Sequence, residues 1–219
     1  MPKISSDSQG RLILPDDFLQ RRHMPPDTEY WLNERQGDII LHPRVPDVQK
    51  LYLEATTGCN LQCRTCIRNI WGDPSALMKW DTFEALMNSL DGLPELKRVV
   101  FTGFGEPLSH PRILEMIERV RQRGLAVSIG SNGLLLREKM ARELVRLGVD
   151  RLVVSVDGVK PETYGDVRGA GLSELLDNVR RLNDIKQEVN TLIPALGIEF
   201  VVLKSNIDEL PALTQLASH

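Results

Sequence analysis

The sequence predicts an α/β protein in which parallel strands alternate with helices, preceded by a small all-β module. From Leu51 onward, short apolar runs alternate with stretches of helical periodicity, a pattern that indicates parallel strands joined by crossover helices. The strand candidates are rich in Val, Ile or Leu, as strands buried on both faces should be. Residues 1–45 hold instead short alternating runs that are separated by turn residues.

Five strands are expected in the α/β part. They are Leu51–Thr56, Arg98–Thr102, Ala126–Ile129, Arg151–Val156 and Ile198–Leu203. The connecting segments carry apolar stripes at helical spacing, such as Phe83 and Met87 in the first crossover, and each stripe can cover the sheet. Gly124 and Gly148 follow arginine-rich helical stretches, where a glycine cap ends a helix. A last helix is expected over Glu209–Ala217, which gives five βα units.

The all-β module is expected to contain four short strands. They are Lys3–Ser6, Arg11–Leu14, Glu29–Asn33 and Asp38–His42. The run from Pro43 to Pro46 should end the module, because each proline fixes φ and disfavours helix in the residue before it. We therefore expect a β module at residues 1–45, a linker at 46–50 and an α/β domain at 51–219.

Charge and hydropathy limit the possible partners. The 219 residues include 27 basic and 30 acidic ones, a net charge of −3, so no overall field attracts nucleic acid or an anionic membrane. No apolar run approaches the ~18 residues that span a bilayer, and the start of the chain lacks the apolar core of a secretion signal. No membrane contact and a cytoplasmic location are expected.

Polar motifs follow every expected strand. They are Thr57-Gly58-Cys59, Gly103-Phe104-Gly105-Glu106-Pro107, Ser131-Asn132-Gly133, Ser155-Val156-Asp157-Gly158 and Lys204-Ser205-Asn206. In α/β sheets and barrels, ligands bind at the carboxyl edge of the strands, where loops converge and backbone donors are free. The motifs therefore predict an active site at this edge.

Three cysteines, Cys59, Cys63 and Cys66, lie within eight residues. An odd number of closely spaced cysteines suits ligands better than a disulfide framework. A cubane cluster normally takes four cysteinates, so three would leave one iron open to another ligand. The alternative is a structural zinc site, but zinc needs four ligands, and neither His42 nor His110 forms a paired knuckle with these cysteines.

A CxxxCxxC motif after the first strand of a βα series resembles the radical S-adenosylmethionine (radical SAM) superfamily, over residues of about 50 to 219. The resemblance implies a partial TIM-type barrel with five of an expected six βα units, so the chain is expected to be incomplete at its C-terminus. It also implies a [4Fe–4S] cluster on the three cysteines, S-adenosylmethionine as cofactor, and a ferredoxin- or flavodoxin-type one-electron reductant. The implied reaction is reductive cleavage of the cofactor to a hydrogen-abstracting 5′-deoxyadenosyl radical.

The resemblance also implies cofactor contacts. The amino group would be held by the glycine–glutamate turn, the ribose by the end of the fourth strand, the methionine carboxylate by an arginine, and adenine by the fifth strand. The matching residues are Gly103, Gly105 and Glu106 for the amino group, Ser131 and Asn132 at the third strand, Ser155 and Asp157 for ribose, Arg168 for the carboxylate, and Val201 or Val202 for adenine. Lys204 is a possible substrate contact. Thr65 stands where the family often has an aromatic residue near adenine, so stacking is not expected there.

Two features resemble particular groups of proteins. The segment from Cys66 to Trp71, with Met78, resembles the radical maturases associated with tungsten-cofactor aldehyde oxidoreductases, which makes such an oxidoreductase a candidate client. The first module resembles an AbrB/MazE-type swapped-hairpin domain, which implies a homodimer formed through residues 1–45. That module carries six basic and seven acidic residues, so it has no basic footprint for DNA.

Three other hypotheses remain open at this stage. One is a peptide-modifying radical enzyme, although these typically carry a further cysteine-rich domain and this chain has no cysteine after Cys66. Another is a dimeric regulator whose cluster senses redox state and which binds DNA. The third is a truncated remnant that binds cluster and cofactor without efficient catalysis.

Overall fold

The fold is known from a computed structural model, which describes residues 4–21, 24, 30–35, 37–43, 48–70 and 75–217. The chain divides into two compact units, Met1–Val48 and Gln49–His219.

The first unit contains two antiparallel hairpins and a short helix. Strand β1 (Ser5–Ser6) pairs with β2 (Leu12–Ile13), helix α1 spans Asp16–Arg21, and β3 (Tyr30–Arg35) pairs with β4 (Asp38–Pro43). Each strand overlaps one of the four expected strands; Lys3 and Glu29, at the starts of two expected strands, lie outside the described residues.

Apolar side chains of this first unit lie in solvent. Leu12 is 56% exposed, Ile13 52%, Leu32 61% and Ile39 59%. None of the described side chains between residues 4 and 43 is buried. The described part of this unit therefore leaves much apolar surface without cover.

The second unit is a five-stranded parallel sheet. Its strands are β5 (Lys50–Leu53), β6 (Arg98–Phe101), β7 (Ala126–Ser131), β8 (Arg151–Ser155) and β9 (Ala195–Glu199). They lie side by side in chain order, and each pairs in parallel with the next. This arrangement confirms the predicted α/β class and is the order found in a partial βα barrel.

Helices connect the strands and cover the sheet. They are α2 (Trp80–Ser89), α3 (Ile113–Gln122), α4 (Glu138–Arg146), α5 (Pro161–Arg168), α6 (Leu172–Glu188) and α7 (Leu210–Leu216). The predicted stripe residues Phe83 and Met87 are buried in the core. Gly124 and Gly148 take positive φ values of 74° and 66° at the ends of α3 and α4, as expected for glycine caps. Among the described residues, no helix is long and apolar enough to cross a bilayer.

The fifth strand differs from its predicted position, because it ends at Glu199 and the expected range was Ile198–Leu203. Side chains, rather than a neighbouring strand, take the backbone groups that follow. Oδ1 of Asp157 accepts from the N–H of Val201 at 2.8 Å, and Oδ1 of Asn206 accepts from the N–H of Leu203 at 2.7 Å. Residues after Glu199 therefore form a loop.

Helix α5 was not predicted from the sequence. Pro161 lies in its first turn and Gly169 caps its end with a φ of 68°. Proline at the start and glycine just past the end are typical helix boundaries. The sequence contained the boundary residues, but the helix has only eight residues and a weak apolar stripe.

Candidate active site

A cavity of about 290 Å³ lies at the carboxyl edge of the parallel sheet. It is lined by eleven of the residues singled out from the sequence: Cys59, Cys63, Cys66, Gly103, Gly105, Glu106, Ser131, Asn132, Ser155, Asp157 and Arg168. These residues come from four loops that follow β5 to β8 and from the end of α5. The fold thus brings them together at one site.

Two of the sequence candidates lie elsewhere. Val202 is 53% exposed and Lys204 lies on an exposed turn, and neither lines the cavity. Val201 lines it instead. The early end of β9 explains the change, because the loop beyond Glu199 no longer alternates its side chains as a strand would.

The cysteine loop presents three free thiols. Cys63 is buried, while Cys59 and Cys66 are half-buried. The N–H of Cys66 donates to the carbonyl of Cys63 at 3.0 Å, and the side chain of Asn69 donates to the same carbonyl at 2.8 Å. Burial raises the pKa of the Cys59 thiol. Ligand formation must therefore displace a proton from this sulfur.

The donor set fits an iron–sulfur cluster. Among the residues that the structure describes, no three Cys, His, Asp or Glu side chains come close enough to hold a single metal ion. The three cysteines nevertheless line one cavity, and a cubane cluster is bound by cysteinates on separate irons. His110 is buried and its ring contacts the carbonyl of Met78 at 3.2 Å, so it does not complete a zinc set.

Gly105 lets the turn after β6 touch the cysteine loop. A Cβ at this position would lie 1.9 Å from the carbonyl oxygen of Thr56 and 2.8 Å from that of Gly58. The N–H of Glu106 donates to the same Gly58 carbonyl at 2.8 Å. Only glycine permits this backbone approach, which joins the turn to the residue before Cys59.

Glu54 organises the same turn and was not identified from the sequence. Its Oε1 accepts from the N–H of Phe104 at 2.6 Å and from that of Gly105 at 3.1 Å. Gly103 has a φ of 156°, and a Cβ there would lie 2.4 Å from Glu54 Oε1. The sequence offered one indication of this role, because Glu54 is an acidic residue at the end of the apolar run Leu51-Tyr52-Leu53.

Glu106 is a buried link between two strand ends. It is 2% exposed. Its Oε1 accepts from Ser131 Oγ at 2.9 Å and from the N–H of Leu108 at 3.1 Å, and its Oε2 accepts from the N–H of Asn132 at 2.7 Å. Burial raises the pKa of the Glu106 carboxyl, although these hydrogen bonds and Arg168 oppose the rise. Both carboxyl oxygens are therefore engaged within the protein.

Asn132 connects the end of β7 to the cysteine loop. Its Nδ2 donates to Asn60 Oδ1 at 2.8 Å and lies 3.7 Å from Cys59 Sγ, within hydrogen-bonding distance for sulfur. The N–H of Leu61 donates to the same sulfur at 3.4 Å. Two N–H donors thus contact the sulfur of Cys59.

Asp157 and Arg168 form a buried ion pair beside the cysteines. Asp157 is 1% exposed; its Oδ2 lies 2.7 Å from Arg168 Nε, and its Oδ1 accepts from Val201. Nη1 of Arg168 donates to Cys63 Sγ at 3.5 Å. Burial opposes the charge on Arg168, but the Asp157 carboxylate together with Cys63 and Tyr164 outweighs it, and the pKa of Arg168 is raised. Ser155, which the resemblance pairs with Asp157, is half-buried and lines the cavity.

Further side chains line the cavity without having been predicted. They are Leu61, Arg68, Thr102, Phe104 and Glu199. Arg68 belongs to a short helical turn at Ile67–Ile70, and Glu199 ends β9. Their positions depend on the cysteine loop and on the true end of the fifth strand, neither of which the sequence pattern specified.

A partial βα barrel with a cysteine triad on its first loop belongs to the class of cofactor-dependent enzymes that bind their ligands at the carboxyl edge. Comparison with protein families agrees, because the model described as "Radical SAM superfamily" matches residues 53–211. The chain belongs to the radical SAM superfamily and is an enzyme. Membership implies a [4Fe–4S] cluster and S-adenosylmethionine as cofactors.

Curated relatives include two archaeal proteins. The tungsten-containing aldehyde ferredoxin oxidoreductase cofactor-modifying protein of Pyrococcus furiosus is 37% identical over 169 residues, which cover 75% of this chain and 47% of that protein. A probable GTP 3′,8-cyclase of Methanocaldococcus jannaschii is 29% identical over 172 residues, covering 77% of this chain and 55% of that one. The chain thus spans about half the length of these relatives.

Solved structures share the fold. Streptococcus suis SuiB bound to S-adenosylmethionine superimposes with a TM-score of 0.65 at 16% identity, over 81% of this chain and 39% of that one. Methylornithine synthase superimposes with a TM-score of 0.53 at 16% identity, over 78% of this chain and 61% of that one. Both agree with the parallel βα arrangement.

Proposed function

We propose that this chain reductively cleaves S-adenosylmethionine at a [4Fe–4S] cluster held by Cys59, Cys63 and Cys66. The observation that supports this most is the cavity itself, which is lined by the three cysteines together with polar residues from the carboxyl ends of β6, β7 and β8. When bound, cluster and cofactor supply a one-electron cleavage that generates a hydrogen-abstracting 5′-deoxyadenosyl group.

The chain's own residues would bind and orient these groups. The three cysteines give up their protons and act as ligands. Gly103 and Gly105 would shape the turn that meets the ammonium of the methionine part, because without a Cβ the turn can pack against Glu54 and the Thr56 carbonyl. The hydroxyl of Ser155 is available for the ribose. Glu106 holds the ends of β6 and β7 together through its hydrogen bonds from Ser131 and Asn132.

The test is anaerobic reconstitution of the chain with iron and sulfide, followed by reduction with dithionite and addition of S-adenosylmethionine. We expect about four irons per chain and release of 5′-deoxyadenosine. Cys63→Ala should lose both, because a ligand is removed. Thr65→Ala is the matched control, since Thr65 lies in the same loop, is exposed and offers no ligand sulfur, and it should retain its iron. A protein that binds one zinc, or binds iron without cleaving the cofactor, would refute the proposal.

We further propose that the enzyme acts in maturation of a tungsten- or molybdenum-pterin aldehyde oxidoreductase. The similarity to the Pyrococcus furiosus cofactor-modifying protein supports this role. The reductant would be a ferredoxin- or flavodoxin-type protein, in the cytoplasm, where thiols stay reduced. An oxidoreductase produced without the enzyme should gain aldehyde-oxidising activity when wild-type protein is supplied, and not with Cys63→Ala. Equal activity with both would exclude the role.

We propose, finally, that residues 1–45 form a homodimer through an interleaved hairpin module. The exposed apolar residues of β2, β3 and β4 support this, because a second copy would cover them and pair their open edges. Leu32→Glu should convert a dimer to a monomer in light scattering, whereas Gln9→Glu, at an exposed turn, should not. A wild-type protein that is monomeric in light scattering would contradict the proposal. Salt-dependent binding of duplex DNA would favour the hypothesis of a DNA-binding regulator.

A further inference from the structure

Arg168 is held beside a ligand sulfur by a buried carboxylate. The side chain of Arg168 is 12% exposed, and that of its partner Asp157 is 1% exposed. A guanidinium presents its N–H groups in a rigid planar fork. The Arg168 Nε atom lies 2.7 Å from the Asp157 carboxylate in an ion pair without hydrogen-bond geometry. The charge of Asp157 therefore holds the guanidinium in this buried position. Its Nη1 donates to Cys63 Sγ at 3.5 Å.

The end of α5 that carries Arg168 is attached to the cysteine loop at three successive residues. The side chain of Arg64 pairs with Asp166 at 2.5 Å, and the N–H of Arg64 donates to the carbonyl of Val167 at 2.8 Å. Arg168 itself reaches Cys63. The backbone hydrogen bond between Arg64 and Val167 holds the end of α5, and with it the guanidinium, close to the sulfur. It does not depend on the Arg64 side chain, whose exposed pair with Asp166 adds little.

Arg168 differs from the other donors around the ligand sulfurs. Cys59 Sγ receives the N–H of Leu61 and the amide of Asn132, both neutral groups. Within the described parts of the chain, Arg168 is the one charged donor that contacts a ligand sulfur. It therefore brings both a hydrogen bond and a positive charge to Cys63.

A charged donor at this position has a definite electrostatic consequence. Reduction adds one negative charge to an iron–sulfur cluster, and hydrogen bonds to the sulfurs shift the reduction potential. A nearby positive charge stabilises the added negative charge, more strongly where water is excluded. Both effects favour the reduced form.

We infer that Arg168, positioned by Asp157, raises the reduction potential of the cluster on Cys59, Cys63 and Cys66. The inference rests on the proposed function, which supplies the cluster. One electron passes from the low-potential donor to the cluster; no bond forms or breaks, and Arg168 keeps its protons. The role differs from binding of the methionine carboxylate, which the superfamily resemblance implies for this residue.

The experiment is a potentiometric titration of the reconstituted full chain, monitored by EPR in the absence of S-adenosylmethionine. For Arg168→Gln we expect the equilibrium constant for reduction to fall about tenfold, which corresponds to 59 mV for a one-electron couple. Arg168→Lys keeps the charge but loses the fork, and its potential should fall between wild type and Arg168→Gln. Arg64→Gln is the matched control, because it removes the same charge at the residue next to Cys63. The side chain of Arg64 contacts Asp166 and Ser205. This variant should change the equilibrium constant for reduction by less than about threefold.

The outcomes separate this inference from the function on which it rests. A wild-type chain that assembles no cubane cluster refutes the proposed function. If the wild-type chain assembles the cluster but the reduction potential of Arg168→Gln equals that of Arg64→Gln, the inference alone is overturned. Equilibrium dialysis adds a second readout: weaker binding of S-adenosylmethionine to Arg168→Gln at an unchanged potential would make Arg168 a cofactor ligand and also overturn the inference. The midpoint potential does not depend on the loaded fraction, so a partly loaded variant still gives the result.

Discussion

Replacing Gly105 by alanine should separate the glycine turn from the cysteine loop. The added Cβ would lie 1.9 Å from the Thr56 carbonyl oxygen, and backbone cannot yield as a flexible side chain can. Restoring an ordinary contact requires a displacement of about 1.5 Å. Such a displacement strains or breaks the hydrogen bonds from Gly105 to Glu54 and from Glu106 to Gly58, which are 3.1 and 2.8 Å long.

The expected loss of stability follows from these contacts. Overpacking costs about 1–3 kcal/mol, and two broken hydrogen bonds add about 0.5–1.5 kcal/mol each. We therefore expect Gly105→Ala to lower the free energy of unfolding by about 2–6 kcal/mol. Urea unfolding of the reduced apoprotein, followed by circular dichroism, measures this as a midpoint that is lower by about 1–2 M.

Gly92→Ala is the matched control, because a Cβ at Gly92 would meet no atom within 4 Å. It should change the free energy of unfolding by less than about 0.5 kcal/mol. Equal urea midpoints for the two variants would refute the steric argument.

Three further predictions concern Tyr164, Glu54 and Glu209. Burial raises the pKa of Tyr164 from 10.0 to about 12, so the free energy of unfolding of the wild type should fall by about 2–3 kcal/mol between pH 10 and 12. Tyr164→Phe should lack this part of the decline. Identical pH profiles of unfolding for the two proteins would contradict the prediction. Glu54→Ala should lower the free energy of unfolding by about 1–3 kcal/mol, because two backbone N–H groups lose their acceptor. Glu54→Gln keeps an oxygen at this position, so urea titration should show a smaller loss. An equal loss in the two variants would argue against hydrogen bonding as the cause. Burial acts to raise the pKa of Glu209, but hydrogen bonds from Thr163 and from backbone N–H groups at the start of α5 outweigh it and lower the pKa. Glu209 therefore stabilises the fold above about pH 4.5. This contribution to stability should disappear as acid protonates the carboxylate. Glu209→Gln should flatten that acid limb, and an unchanged limb would count against the assignment.

Much of the fold was predictable because its causes are local. The strands β6, β7 and β8 begin at the expected residues Arg98, Ala126 and Arg151, since each is a run of residues that favours a buried strand wherever it occurs. The glycine caps after α3 and α4 depend on adjacent residues in the same way.

The errors have long-range causes. The end of β9 was misplaced because Asp157, 44 residues before Val201, takes the backbone N–H that would have continued the ladder. Glu54 was missed because its partners lie 50 and 51 residues away. No window of sequence contains both members of these pairs.

The sequence by itself determined the order of strands and helices, the three closely spaced cysteines and the loops on which the polar groups lie, because these follow from neighbouring residues and from the period of a strand or helix. Only the tertiary structure decided that Asp157 pairs with Arg168 and that Arg168 reaches Cys63 across 105 positions of chain. A buried charge must find its partner in space, and several partners of the right charge are available along the chain. Packing of α5 against the cysteine loop selects one of them.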